Sequence, residues 1–232
     1  MSNAVESVSL QAPSPSPRSS FDGRDVISLG FLVGTGFITF ALWSSLPERI
    51  PTHFGLTGEV DDTSTRAFGA VILPVVAGLL FIVLRVIPRF FAGSWRARAA
   101  ASPMSLITML TTGLIVGIHA VCLWAALHPG ASGAAPLAVI LGTFWIALSL
   151  VLPRVRRNPL VGIRTAWTLA SDENWAKTHR FAGLVGVPAG LVVIAAGLAG
   201  SFPAAIAAIA VSALASAAYS FIESRREQAS NA

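Results

Sequence analysis

From residue 26 onward the chain is a succession of long apolar runs separated by polar loops. A bilayer core of about 30 Å takes roughly 20 residues of helix at about 1.5 Å each. Six stretches meet that length, at 26–46, 68–88, 104–127, 136–152, 181–200 and 202–222. Only Ser201 and the Phe202-Pro203 step part the last two, so one broken helix or a re-entrant hairpin stays open beside two separate spans. The predicted fold class is all-α: a polytopic integral membrane bundle of about six transmembrane helices.

Composition agrees with that pattern. The 232 residues are 54% hydrophobic and 12% charged, with a mean hydropathy of +0.71. A soluble domain carries about a quarter charged residues, so a soluble enzyme is excluded. Sixteen Lys and Arg against eleven Asp and Glu give a net charge of +5, which raises the question of a nucleic-acid partner. Placement answers it. With six spans, every basic residue falls on one side except Arg49 and Arg66, and the positive-inside rule makes that side the cytoplasm. Both termini are therefore predicted to be cytoplasmic, in a bacterial inner membrane, and no direct contact with nucleic acid is expected.

The predicted organisation is a disordered cytoplasmic tail over 1–25, a three-helix membrane region over 26–128 with an extracytoplasmic loop at 47–67, a second three-helix region over 129–222 with a cytoplasmic loop at 153–181, and a tail over 223–232. The Ser/Pro-rich start buries too little surface to offset chain entropy. The run from Val26 is too long for a cleaved signal, so the first span is expected to stay as an anchor. The single cysteine, Cys122, allows no internal disulfide and no cysteine metal cluster.

Within the spans, Gly30-x-x-x-Gly34, Gly113-x-x-x-Gly117 and Gly186-x-x-x-Gly190 offer faces for close helix packing, inside one bundle or in a homo-oligomer. His119 is the one strongly polar residue deep in a span, two turns beyond Thr111 and Thr112. It reads either as a proton- or ligand-responsive site or as a neutral imidazole bonded across a helix contact. Arg85, a turn from the end of its helix, reads as a snorkelling anchor with no acidic partner in any span.

Two loops exceed what a helix connection needs. The outer one, from Pro47 to Arg66, contains Pro51, His53, Gly58, Glu59, Asp61 and Asp62, and is expected to be a turn-rich cap or a binding loop. Its His and carboxylates match no metal-ligand spacing, so no metal is expected. In the inner loop Ser171 is placed to cap a helix that starts in water and continues into the fifth span. Trp175, His179 and Ala182 share one face of that helix, which should dock on the bundle or lie at the headgroups. Asn158-Pro159 and Gly162 suggest a shaped turn presenting Arg164, whose simplest partner is anionic lipid.

Asn158, Pro159, Gly162-Ile163-Arg164-Thr165, Trp167-Thr168-Leu169, Trp175, Lys177 and His179 together resemble the signature of the SdpI family of bacterial membrane proteins. Pro47, Pro51, His53, Gly58 and Asp61 are similar to the uncharacterised domain that often precedes it. Ala166 stands where the signature would have proline, and Arg66 where the outer pattern would have lysine.

The resemblance implies an immunity protein that protects against a secreted toxin peptide and, in a signalling role, holds a cytoplasmic repressor at the membrane. The outer loop would then meet the peptide, and Arg164 to His179 the cytoplasmic partner. A small transporter or channel using His119 is the alternative. No cofactor and no enzymatic activity are expected, since no nucleophile elbow, zinc motif or phosphate-binding loop is present.

Overall fold

The computed structural model describes residues 21–91, 93 and 102–230. The expected disorder of the first twenty residues, and Arg96 and Arg98 in the second loop, lie outside them. Among the described residues six helices are long and apolar enough to cross a membrane: α1 (Gly23–Leu42), α2 (Arg66–Arg85), α3 (Met104–Leu127), α4 (Ala134–Val151), α6 (Asp172–Leu198) and α7 (Phe202–Ser230), with a five-residue helix α5 (Ala166–Ala170) before α6. The last two spans are separate helices. Gly200 takes a left-handed φ of 76° and the Ser201 amide returns to the Ala196 carbonyl, 2.8 Å, which ends α6 and reverses the chain.

Lipid gives apolar helices no hydrophobic reason to associate, so close backbone approach must do it. That approach is concentrated between α4 and α6. A Cβ on Gly142 would sit 2.7 Å from the Gly190 carbonyl oxygen, and one on Gly190 2.8 Å from that of Gly142. Gly183 and Gly186 press on Ser149, and Gly197 on Ala138. The Gly186-x-x-x-Gly190 face is thus consumed inside the bundle. Gly30 and Gly34 meet nothing within 4 Å. Pro74 and Pro188 sit within α2 and α6, each removing one backbone donor from its helix.

Helices α1, α2 and α3 associate differently. Every fully buried residue of α1 is polar: Asp25, Ser28, Thr35 and Thr39. The buried positions of α3 include Ser105, Thr108, Thr112 and His119.

Four features differ from the sequence reading. First, α1 begins at Gly23, capped by Asp22 in a reciprocal box with Asp25, which brings Asp25 inside. Arg85 is consequently not a snorkelling anchor. It is 6% exposed and its Nε lies 2.6 Å from Asp25, itself 0% exposed. Second, the outer loop is a β-hairpin, β1 (Arg49–Phe54) against β2 (Val60–Thr65), with an irregularity in register around Thr52. β1 carries Pro51 and β2 is almost wholly polar, so neither shows the alternation that marks a strand.

Third, the inner loop contains α5, started by a capping box in which Thr165 and Thr168 each bond the other's backbone amide. Fourth, α7 continues beyond the predicted end of the last span at 222, as far as Ser230.

Candidate functional site

The two resembling segments lie at opposite ends of the bundle. At one end, Asn158 is fully buried and organises the turn after α4. Its Oδ1 accepts from the Leu160 and Val161 amides at 2.8 and 2.9 Å, and its Nδ2 donates to the Arg156 and Val161 carbonyls at 2.8 and 3.1 Å. The turn delivers Gly162, at φ 126°, against the aromatic pair Trp175 and His179, where a Cβ would meet the indole at 2.7 Å. That pair stacks with ring centroids 4.2 Å apart. Trp175 Nε1 donates to the Val155 carbonyl, 2.7 Å, while His179 Nδ1 donates to the Trp175 carbonyl, 2.8 Å, and Nε2 accepts from the Ile163 amide, 3.0 Å. Those partners fix the neutral Nδ1–H tautomer.

Thr168, fully buried, donates to the Ile163 and Thr165 carbonyls, and Thr165 meets Ser220 of α7 at 3.1 Å. The expectation that 164–179 as a whole faces a partner therefore needs correction. Asn158 and Thr168 lie inside a cap that docks on Trp175 and His179 of α6 and on Ser220 of α7. They are buried because one stacked aromatic pair and a ring of backbone bonds consume them.

What the cap leaves outside is selective. Arg164 is exposed, its guanidinium donating to the Pro159 carbonyl. Trp167 is partly exposed, edge-on to Phe221 at 5.1 Å, with Arg225 over the same ring. Lys177 bridges Glu173, 2.7 Å, and the buried Glu223. Ser171 caps α6 through the Asn174 amide and also donates to Glu227, 3.0 Å. Together Ser171, Glu173, Lys177, Glu223, Arg226 and Glu227 line an open, charged groove of about 730 Å³ between the start of α6 and the end of α7.

Glu223 and Asn174, the latter donating to the Ser220 carbonyl at 3.0 Å, were not singled out in the sequence. The serines at 212, 216 and 220 followed by Glu223 form a polar stripe on α7, which is the signal that points to this contact.

At the other end the hairpin is fastened on two sides. Ile50 is fully buried against Gly69, and the Gly58 carbonyl accepts from the Gly133 amide, 2.8 Å, between α3 and α4. Pro47 receives Arg66 on its carbonyl, 3.1 Å, and Arg49 is held by Thr63, 2.8 Å. Both cations of this end are thus engaged by the hairpin itself. His53 is exposed and bonded to Asp61, 2.6 Å. Thr57 donates to Glu59 and holds its carboxyl below the usual range. Beneath the hairpin lies an apolar chamber of about 380 Å³, with Pro51, Thr52 and Phe54 on one wall and Phe68, Cys122 and Phe202 among the others.

Between the two ends runs the polar contact of α1 with α3. His119, 1% exposed, bonds Thr39 through Nε2 at 2.9 Å, so its partner is on α1 and not among the threonines of its own helix. Its Nδ1 has no partner among the described residues. The contact ends at Asp22, where the Ser105 hydroxyl donates at 2.6 Å and holds the carboxyl low, beside the Asp25–Arg85 pair.

No group of three or more His, Cys, Asp or Glu able to hold a metal occurs among the described residues. Comparison with known families finds the SdpI/YfhL protein family over residues 154–222 and a domain of unknown function, DUF1648, over residues 30–78. No curated protein and no solved structure matches the chain. The first match begins just before the turn that Asn158 organises and ends at Ile222, within α7; the second runs from Gly30 in α1 through the hairpin to Gly78 in α2. The chain is a multi-pass membrane protein whose residues 154–222 match the SdpI/YfhL protein family and whose residues 30–78 match DUF1648.

Proposed function

We propose that the chain is a non-enzymatic immunity and signal-transduction protein, with the hairpin end outside the cell and the cap in the cytoplasm. A secreted peptide would meet the hairpin, which carries Glu59, Asp61 and Asp62 and whose Pro51, Thr52 and Phe54 wall an apolar chamber. A cytoplasmic partner of the repressor type would meet Arg164, Trp167 and the groove around Lys177. One observation carries the reading: the family motif spends its buried members on its own fold and leaves a small charged and aromatic face outside. A ligand can shift such a bundle only by binding two arrangements with different affinity.

The test is survival of a susceptible strain, with and without the chain, under a panel of secreted antimicrobial peptides, with co-purifying cytoplasmic proteins recorded. Protection that Arg164→Glu reduces at unchanged membrane abundance supports the reading; equal killing with and without the chain refutes it. Trp175 is the wrong residue to replace, because it is 2% exposed and its loss would collapse the cap.

The second reading is a transporter or channel, favoured by the buried His119 Nδ1 without a described partner. It requires proton or solute flux in proteoliposomes that His119→Leu abolishes.

A further inference from the structure

The chamber beneath the hairpin contains a polar group that the fold does not use. Thr52 lines it, and the Thr52 hydroxyl is buried with no partner among the described residues. The register explains why. Pro51 pairs with Thr63 and His53 with Asp62, so Thr52 is an extra residue that no residue of β2 opposes. A bulge of this kind re-aims a side chain, and such bulges gather next to active sites. Buried hydroxyls in folded proteins are nearly always bonded, so one left over in a chamber wall marks a position for a polar atom of a guest. A trapped water would need about 2–4 polar partners to settle there, and the walls contributed by Phe54, Ile118, Leu137 and Phe202 offer none.

Those walls favour an apolar guest, which would regain the dispersion contacts that an empty chamber forfeits. The volume of about 380 Å³ exceeds the roughly 150 Å³ known to admit a benzene-sized molecule, so a whole aromatic side chain fits. Exposure sets the mouth. Cys122, Leu137 and Phe202 are buried and form the floor, whereas His53 on β1 and Phe68 at the start of α2 are exposed. The guest therefore enters where the hairpin meets α2. It passes His53, a wall residue whose Nδ1 lies 2.6 Å from the Asp61 carboxylate.

Charge on the hairpin is one-sided. Between 49 and 65 the acids are Glu59, Asp61 and Asp62, and the one arginine or lysine, Arg49, is turned onto Thr63, its guanidinium donating to the carbonyl at 2.6 Å. Asp61 is 41% exposed, so its carboxylate stays open to a second cation beside His53. An anionic lipid would meet uncompensated negative charge here, whereas a cationic segment would meet its complement. We propose that the chamber holds an apolar side chain of a cationic peptide, with the peptide bonded to Thr52 and a neighbouring basic residue paired with Asp61. This rests on the reading that a secreted peptide meets the hairpin, and adds the chemistry that peptide carries: an aromatic residue next to lysine or arginine.

The experiment uses the full chain in phosphatidylcholine nanodiscs and two acetylated pentapeptide amides, Ala-Lys-Trp-Lys-Ala and Ala-Glu-Trp-Glu-Ala, with binding measured by isothermal titration calorimetry against empty discs. The lysine peptide is expected to bind saturably and at least about fivefold more tightly than the glutamate peptide. Thr52→Val and Asp61→Asn should each weaken it by about threefold or more. Both variants should melt like the parent, since valine removes only a hydroxyl with no partner among the described residues and asparagine can still accept from His53. Equal affinity for the two peptides, no binding above empty discs, or unchanged affinity in either variant overturns the proposal. Loss of binding when half the phosphatidylcholine is replaced by phosphatidylethanolamine would give the site to a lipid amine and also overturns it. The immunity reading has a separate outcome. Saturable binding without protection of cells refutes immunity and leaves the site, whereas protection that both variants retain in full leaves immunity and refutes the site.

Discussion

Replacing Asn158 with alanine isolates the residue on which the cap depends. The side chain is fully buried and makes four bonds, all to backbone groups of the same turn. Each is worth about 0.5–1.5 kcal/mol net, and a buried group left without a partner costs about 1–3 kcal/mol. The turn is close enough to the surface to relax and admit water, so the lower end of the sum is appropriate, about 3 kcal/mol. At about 1.4 kcal/mol per decade, amide exchange across 160–163 should accelerate on the order of 100-fold.

Hydrogen exchange by mass spectrometry in nanodiscs reads this directly. The effect should be strongest in the turn and at the start of α3, whose Met104 and Ile107 share a core with Val155, Leu160 and Val161, and should not reach the β-hairpin at the other end. Asn158→Asp should lie between, because its carboxylate still accepts from Leu160 and Val161 but faces the Arg156 and Val161 carbonyls without a donor. Unchanged exchange in the alanine variant, or an equal rise throughout the chain, would refute the reasoning.

Three further outcomes follow from the packing and charge. Gly142→Val should destabilise the α4–α6 contact by about 1–3 kcal/mol or prevent folding, since its Cβ meets a backbone oxygen that cannot move aside, whereas Gly30→Val, with nothing within 4 Å, should melt like the parent in detergent. Arg85→Met should cost about 3–5 kcal/mol by stranding Asp25 in a buried site, and adding Asp25→Leu should recover most of it in the same melt. Asp22 has a lowered folded pKa from the Ser105 hydroxyl, so its stabilising contribution is complete above the ordinary carboxylate range and disappears as pH falls through the folded value. Ser105→Ala should flatten that acid-side loss in a pH series of melting temperatures.

The spans were legible because the bilayer imposes a length on every helix. The start of α6 was legible for a local reason: Ser171, Glu173 and Lys177 act within one turn or so of each other, and Ser171 caps Asn174 as its position suggests. Contacts between distant segments were not. Asp25 and Arg85 are 60 residues apart, and a hydropathy window that starts the first span at Val26 leaves the carboxylate outside. Thr39 and His119 are 80 apart, on helices whose rotation hydropathy does not fix. The hairpin was hidden because its inward contacts come from Leu46, Ile50 and the glycines at 58 and 133, not from alternation along β2. The motif residues were recognisable as a set, and their spacing put Trp175 and His179 on one face that docks on the bundle or lies at the headgroups; their burial decides for the bundle.

The account rests on the hairpin and the cap facing opposite sides of the membrane, with the hairpin outward. In a Cys122→Ala background, single cysteines at the exposed positions Thr57 and Arg164 can be probed in intact cells with a membrane-impermeant maleimide. Labelling of Thr57→Cys at once, and of Arg164→Cys only after the membrane is permeabilised, is the result predicted. Labelling of Arg164→Cys in intact cells would reverse the orientation and contradict the assignment of both recognition surfaces.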